Sequence, residues 1–381
     1  PEGAYNEQVQ AAALAGNLPD LLDFDGPNYA NYVWSGYLRP LGDLVPKEVI
    51  DNAIPSIIAQ GTYPPDGKLY SLGQHDSGLG LWGNKTLLEK AGVRLPKGVD
   101  DAWTMAEFED ALAKLKNTEG VEYPLDLKLN DSGTEWYTYG FSPIVQSMGG
   151  DLINRETWRA SGTLDGPQAV EAMTHFQDWI KKGYVVPASA GDDSFYGKKN
   201  VGLALVGHWM WPTHHRALGD DLVLISMPKF GERHVTGMGS WCWGITTSAE
   251  EPEVVGRLLA FLLEDKRELE WSNRGGHPPA TKTVTAQSEL YGEGGPLAVY
   301  AEQLAKGVGL PRPVHPAYPV ITVAFRQAVA DIIAGGDVQQ ALTKAATEID
   351  QNIDDNSGYP PFGGNGGGRG STSPSGPALR P

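Results

Sequence analysis

Strand-like and helical segments alternate along most of this chain, and this alternation limits the possible folds more than any other feature of the sequence. Apolar runs at 201–207 and 221–228 are typical of short buried strands. Apolar residues recur at helical spacing over 166–182, 321–334 and 338–354. The alternation predicts an α/β fold in which helices cover mostly parallel sheets. Ligands bind such sheets beyond the carboxyl ends of the strands.

Two helix starts carry a more specific signal, a Thr or Ser followed three residues later by Glu. The pairs are Thr104 with Glu107 and Ser248 with Glu251. In a capping box, the hydroxyl accepts a hydrogen bond from a backbone N–H of the first turn, and the carboxylate accepts one from the N–H of the cap residue. We therefore predict a capped helix at each position.

Charge and cysteine content exclude several classes of protein. A formal net charge of −17, without a local stripe of Lys and Arg, argues against a nucleic-acid partner. The sequence contains no run of about 18 apolar residues that could span a bilayer. Its single cysteine, Cys242, allows neither an intramolecular disulfide nor a zinc site with several thiolates, and its apolar surroundings predict a buried strand residue.

The two ends of the chain differ from the rest. The chain starts at Pro1 and enters directly into a helical pattern, so we expect a segment upstream of it. Residues 363–381 are rich in Gly, Ser and Pro and have almost no apolar side chains. Such a segment buries too little surface to offset its ordering entropy, which predicts a disordered tail.

The sequence lacks the motifs of several enzyme families. It has no G-x-x-x-x-G-K-[ST], no G-x-G-x-x-G after a strand and no G-x-S-x-G. His208, His214 and His215 lie close together along the chain, but adjacent histidines diverge and Pro212 interrupts the helix. We therefore expect no metal site and no cofactor.

A glycoside hydrolase that uses an Asp/Glu pair stays open as an alternative. Such an enzyme needs two carboxyl groups about 5–10 Å apart, and an acidic chain offers many pairs. The candidates are Asp25, Asp76 and Glu135, because each lies beside aromatic residues in a predicted loop.

Tryptophans in predicted loops and strand ends give the strongest functional signal. Trp209 and Trp211 are two residues apart, as are Trp241 and Trp243, and alternation along a strand places both rings of a pair on one side. Aromatic faces beside polar groups suit the C–H face and the hydroxyls of a sugar ring. The pairs therefore predict a carbohydrate-binding face, with core packing as the alternative for any single tryptophan.

Six segments, in matching order, resemble the extracellular solute-binding proteins of ABC importers, in the carbohydrate-binding group that includes the maltose-binding protein. These segments are 15–45, 67–96, 104–116, 207–211, 238–262 and 315–329. The resemblance implies a two-lobed periplasmic-binding-protein type II fold whose N-terminal strand and helix are missing from this chain. It assigns 1–82 and 244–290 to lobe one, and 83–243 and 291–362 to lobe two.

The same resemblance implies a function without catalysis. A small-molecule carbohydrate would be trapped between the lobes, and an ABC permease would receive it. The protein would be a monomer in the periplasm or outside the cell, anchored as a lipoprotein in a Gram-positive host.

Ligand-binding positions are also implied by the resemblance. They are Phe24, Asp25, Asn28, Tyr29, Gln74, His75, Asp76, Trp136, Tyr137, Trp209, Trp211, Trp241, Trp243 and Arg274. For Asp76 a purely structural role stays open, and for Arg274 a surface ion pair.

Overall fold

The computed structural model describes residues 2–239 and 241–362, so the expected tail at 363–381 lies outside the described residues. Its strands are β1 (Leu21–Asp25), β2 (Thr62–Tyr63), β3 (Lys68–Leu69), β4 (Leu72–Gly73), β5 (Leu79–Asn84), β6 (Tyr123–Asp126), β7 (Val201–Gly207), β8 (Leu222–Ser226), β9 (Thr236–Met238), β10 (Trp241–Ile245) and β11 (Gly309–Pro311). Two sheets dominate, one in the order β1-β10-β4 and the other in the order β6-β7-β5-β8.

Helices account for much of the remaining described chain. They are α1 (Glu2–Leu14), α2 (Tyr29–Trp34), α3 (Lys47–Asn52), α4 (Pro55–Gly61), α5 (Lys85–Lys90), α6 (Met105–Lys116), α7 (Trp136–Ser147), α8 (Pro167–Lys181), α9 (Trp211–Leu218), α10 (Pro252–Leu262), α11 (Asp265–Gly275), α12 (Lys282–Gln287), α13 (Ala298–Ala305), α14 (Tyr318–Ile333) and α15 (Val338–Asp355). None of these described helices combines the length and the apolar character needed to cross a bilayer.

The α/β class predicted from the sequence is confirmed, but the expectation of mostly parallel sheets is wrong. β10 pairs antiparallel with both β1 and β4, and β5 pairs antiparallel with both β7 and β8. Within the two sheets only β6 and β7 run parallel. Apolar runs mark buried strands whatever their direction, so the sequence pattern did not carry this information.

Each sheet has its own hydrophobic core. Residues such as Leu72, Ile245 and Leu259 form the core beside the three-stranded sheet, and α10 packs there. A larger core beside the four-stranded sheet includes Leu81 and Leu203, and α7, α8, α14 and α15 pack against one another around it.

Two connections join a strand of one sheet to a strand of the other, and a third, between α12 and α13, returns the chain to the half that holds the four-stranded sheet, where α13 packs on β5 and β8. The first leads from β4, which ends at Gly73, to β5, which begins at Leu79, and the second leads from β8 through β9 to β10. β9 also pairs in parallel with β11. The lobe boundaries expected at 82/83 and 243/244 fall inside β5 and β10. The chain therefore passes from one sheet to the other a few residues before each expected boundary. These connections frame the cavity described below.

One of the two predicted capping boxes is present. The Thr104 hydroxyl accepts a hydrogen bond from the Glu107 N–H at 3.3 Å, and the Glu107 carboxylate accepts one from the Thr104 N–H at 2.9 Å. The second capping box is absent, although the helix predicted there is present as α10. This helix begins at Pro252, and the Ser248 hydroxyl is hydrogen-bonded to Thr246 at 2.8 Å. A proline supplies the first turn there, where its missing N–H has no cost.

We expect Thr104→Ala to lower the free energy of unfolding by about 1 kcal/mol, because the first turn of α6 loses its side-chain acceptor. Thr347→Ala is the matched control, since that hydroxyl is exposed and bonds only within α15, to the Thr343 carbonyl at 2.8 Å. It should stay within about 0.5 kcal/mol of the parent. Urea unfolding measures both, and equal losses would contradict the assignment.

Candidate ligand-binding cavity

A cavity of about 700 Å³ lies where the connections between the two sheets meet. Several positions expected from the sequence line it, namely Asp25, Gln74, His75, Trp136, Trp209, Trp241 and Trp243. The first sheet contributes through the ends of β1 and β10, and the second through the segments after β7 and before α7. Residues far apart in the sequence therefore line the same cavity.

On β1, alternation decides which side chains reach the cavity. Asp23 and Asp25 line it, whereas Phe24 points the opposite way and is fully buried against Tyr32, with ring centroids 5.3 Å apart. The expectation for Phe24 is therefore corrected to a core position. Burial and the neighbouring Asp25 carboxylate raise the pKa of Asp23 to about 6.

Asn28 and Tyr29 also lie outside the cavity lining. Asn28 is buried and donates a hydrogen bond to the Asp25 carbonyl at 3.2 Å, while the Tyr29 hydroxyl donates to the Thr62 carbonyl at 2.8 Å. Both side chains hold the turn after β1 in place. They position Asp25 and do not line the cavity themselves.

Asp76 is completely buried, and its carboxylate is used inside the fold. It accepts hydrogen bonds from the Ser56 hydroxyl, from the Ser77 N–H at 2.8 Å and from the Gln60 amide at 3.4 Å. Burial raises its pKa despite these bonds. Of the two roles open from the sequence, the geometry supports the structural one.

Three further expected positions point elsewhere. Tyr137 follows Trp136 on α7, so the helical turn directs it inward, and its hydroxyl donates to the Leu129 carbonyl at 2.8 Å. Trp211 stacks on His215 at 4.3 Å, outside the lining. Arg274 is highly exposed and pairs with Glu270 at 2.9 Å, which is the surface ion pair left open above.

The divergence of Trp209 and Trp211 has a local cause. Residues 208–210 form a 3-10 turn and α9 starts at Trp211, so residues two apart do not face the same way as they would on a strand. On β10, which is a strand, Trp241 and Trp243 both line the cavity. The same spacing thus gives different outcomes in the two segments.

Aromatic rings form one wall of the cavity. Trp209, which is 38% exposed, lies 6.1 Å from Trp136 and 6.0 Å from Tyr139, measured between ring centroids. A Cβ atom added at Gly207 would lie 2.0 Å from the Trp209 ring, so only glycine lets the ring take this position. Gly207 thereby helps to set the width of the cavity.

We expect Gly207→Ala to lower the free energy of unfolding by about 2 kcal/mol, because the new methyl group overlaps the Trp209 ring. In a Trp209→Ala background the loss should shrink by about 1 kcal/mol, since the overlapping group is gone. Gly42→Ala, where an added Cβ meets nothing within 4 Å, is the control. Urea unfolding of the double-mutant cycle tests this, and additive losses would contradict the proposed overlap.

A buried ion cluster lies at the other side of the cavity. Arg312 binds the Asp25 carboxylate through both terminal nitrogens, each at 2.7 Å, and the Glu135 carboxylate at 2.9 Å. The Tyr318 hydroxyl donates to one Glu135 oxygen, and the Thr322 hydroxyl donates to the other at 2.7 Å. Burial raises the pKa of Glu135, and the Arg312 charge opposes that shift.

Arg312 lines the cavity, but no pattern in the sequence identified it as a candidate binding residue. It lies between Pro311 and Pro313, just after β11, in a stretch without strand or helix periodicity. Asp23, Asp131 and Thr134 were missed as well. A basic residue between prolines in an acidic chain is the only hint that the sequence offers.

Residues 1–293 match the family model described as bacterial extracellular solute-binding protein. This chain belongs to that family. Among its relatives is the arabinooligosaccharide-binding protein of Bacillus subtilis, 23% identical over 294 residues, which cover 73% of this chain and 64% of the relative. The aligned part is thus slightly less than two thirds of that relative's length.

Solved structures show the solute-binding-protein fold for this chain. The GacH receptor of Streptomyces glaucescens, solved unliganded and with acarbose, gives a TM-score of 0.74 at 21% identity, over 93% of this chain and 88% of that one. UgpB of Mycobacterium tuberculosis, in complex with glycerophosphocholine, gives 0.77 at 18% identity, over 94% and 89%.

The hydrogen bonds of Asp25, Asp76 and Glu135 can be compared with what a glycoside hydrolase requires of its two carboxyl groups. Both oxygens of Asp25 are bound by Arg312, and both oxygens of Glu135 accept hydrogen bonds. Asp76 is buried away from the cavity lining. The three candidates named from the sequence therefore do not form a pair of carboxyl groups facing each other across open space.

Proposed function

We propose that this solute-binding protein captures a neutral sugar, from a monosaccharide to an oligosaccharide, and delivers it to the permease of an ABC importer. The observation that carries the proposal is the cavity of about 700 Å³ with aromatic side chains from both halves of the fold. Trp241 and Trp243 come from the first sheet, and Trp136 and Trp209 from the second half of the molecule. Apolar ring faces on two sides suit a flat sugar ring between them.

The charges around the cavity support a neutral ligand. Asp23, Asp25, Asp131 and Glu135 are its acidic lining residues among the described positions, and Arg312 is already paired with two of them. An anionic sugar would meet this acidic surface without an unpaired Lys or Arg side chain among the described lining residues to balance it. Carboxylates, by contrast, accept hydrogen bonds from sugar hydroxyls.

The proposed mechanism is a shift between open and closed arrangements of two lobes. We keep the two lobes expected from the sequence, 1–82 with 244–290 and 83–243 with 291–362. The hinge is proposed at the connections that frame the cavity, a few residues before 82/83 and 243/244. A ligand that contacts both lobes binds the closed arrangement more tightly and so drives closure. The permease then recognises the closed surface, and no covalent step is involved.

The proposal also covers the cellular setting. The protein acts as a monomer on the outer side of the cytoplasmic membrane, and a lipid anchor holds it there in a Gram-positive host. The names of the relatives are consistent with such a ligand class, since they include binding of arabinooligosaccharide and of acarbose.

A thermal-shift screen with tryptophan fluorescence tests the proposal. The panel contains neutral monosaccharides and oligosaccharides, sugar acids and glycerophosphodiesters. A ligand at 100 times its Kd adds about 2.7 kcal/mol of stability, or about 3 °C in Tm for a chain of this length. A saturable shift with a neutral sugar is expected. A response to sugar acids or glycerophosphodiesters alone, or to nothing, would contradict it.

The hydrolase alternative is tested with the same sugars. The protein is incubated with each oligosaccharide that binds, and the products are separated by chromatography. Unchanged oligosaccharide is expected. Cleavage products that appear in proportion to protein concentration would replace the binding-only proposal with glycoside hydrolysis.

A further inference from the structure

Three histidines from distant parts of the chain meet at the edge of the cavity. The ring centroids of His75 and His277 are 4.5 Å apart, those of His208 and His277 are 5.2 Å apart, and those of His75 and His208 are 5.6 Å apart. One side-chain nitrogen from each lies within 4.8 Å of the other two. All three residues line the cavity.

The backbone around each histidine fixes its place. His75 follows β4 and forms an isolated bridge with Pro279, so the two segments lie side by side. His208 starts the 3-10 turn that ends β7. The turn after α11 brings His277 to both, and its backbone carbonyl accepts a hydrogen bond from the Ser272 hydroxyl at 2.7 Å.

Close packing holds the His277 ring in particular. The ring stacks on Trp271 with centroids 4.7 Å apart and an angle of 11° between the planes. A Cβ atom at Gly275 would lie 2.3 Å from two atoms of the His277 ring, so glycine is required for the ring to lie against the chain. Gly276 has a φ of 70°, a conformation that glycine adopts without strain.

The three imidazoles are in the protonation state that binds metal ions. Burial lowers the pKa of His75 to about 3 and that of His277 to about 4, and it places the pKa of His208 well below the ordinary value. At neutral pH all three rings are therefore neutral. The Nδ1 atoms of His208 and His277 are buried and make no hydrogen bond to any described residue.

We propose that His75, His208 and His277 form a binding site for one divalent transition-metal ion of the zinc class, with a further coordination position open to the cavity. Tetrahedral Zn²⁺ with imidazole ligands at about 2.1 Å holds the nitrogens about 3.4 Å apart. From 4.8 Å, side-chain shifts of about 1 Å close the site. Three nitrogen ligands favour Zn²⁺, Co²⁺ or Ni²⁺ over Ca²⁺ and Mg²⁺, which prefer oxygen.

The site differs from the histidine group considered in the sequence. His208 belongs to it, but His214 is buried against Phe195 at 4.7 Å and His215 is exposed and stacked on Trp211. The expectation of no metal site was based on those neighbours along the chain. It did not consider His75 and His277, which only the fold brings together.

Titration of the metal-free full chain with CoCl₂ tests the proposal. A tetrahedral site gives visible absorption bands of high intensity, and ZnCl₂ should remove them in proportion to the sites filled. We expect one equivalent of Co²⁺ to bind. His277→Gln and His75→Gln should each weaken binding at least about 100-fold, because loss of a ligand exceeds the 10–100-fold loss typical of an outer partner.

His215→Gln is the matched control, since it removes an exposed histidine next to the site without removing a ligand. It should leave the Co²⁺ spectrum unchanged. Circular dichroism without metal shows whether each variant is folded. If His75→Gln does not fold, the test rests on His277→Gln, because His277 is the less buried of the two residues. No binding to the parent, or equal binding to parent and folded variants, would overturn the proposal. No sugar is present, so the result is independent of the proposed transport function.

Discussion

Arg312→Met should lower the free energy of unfolding by about 3–5 kcal/mol. The guanidinium is 4% exposed and is the cation that faces both Asp25 and Glu135 in the ion cluster. Methionine has a similar length and no charge, so it fills the space and leaves two buried carboxylates without a cation to balance them, although Glu135 keeps the hydrogen bonds from Tyr318 and Thr322. Urea unfolding at neutral pH measures the effect.

A rescue variant separates the charge effect from a packing effect. Asp25→Asn and Glu135→Gln combined with Arg312→Met remove all three charges, and we expect at least half of the lost stability to return. Arg274→Met is the surface control, because its pairing with Glu270 is largely exposed and should change stability by at most about 0.5 kcal/mol. If Arg312→Met cost no more than Arg274→Met, the cluster would have no structural role.

The ion cluster also shows where inference from the sequence ends. Asp25 was identified from the family resemblance and from its place beside aromatic residues in a predicted loop, but its partner Arg312 lies 287 residues further along the chain. Its Pro-rich segment has no periodicity that could place it, and only the pairing of β9 with β11 brings it to the cavity. The resemblance pointed instead to Arg274, which lies on the surface.

Local sequence patterns were informative where the geometry of a single helix or strand determines the position of a side chain. The capping box at Thr104 and the alternation of Trp241 and Trp243 on β10 need only the geometry of a single helix or strand. The placement of Phe24 follows from the same alternation once Asp25 is known to face the cavity. The meeting of His75, His208 and His277, in contrast, depends on three loops in two halves of the fold, which no local pattern describes.

Trp209→Ala is expected to weaken binding of the sugar found in the screen by at least about 30-fold. An aromatic side chain at the centre of a binding site contributes about 2 kcal/mol or more when it is removed. Trp209 has 38% of its surface exposed, beside Trp136 and Tyr139, so a sugar ring can pack on it. For the same reason, the free energy of unfolding should fall by only about 1 kcal/mol.

Trp211→Ala provides the matched comparison two residues away. Trp211 is partly buried, stacks on His215 and lies 6.2 Å from Trp82, outside the cavity lining. Its removal should cost about 1–2 kcal/mol of stability and change the sugar Kd less than about threefold. Calorimetric titration should show that Trp209→Ala weakens sugar binding more than Trp211→Ala does. Urea unfolding should show the reverse order for the loss of stability. Weaker binding by Trp211→Ala than by Trp209→Ala would place the sugar on the other face of this turn and contradict the assignment of the cavity.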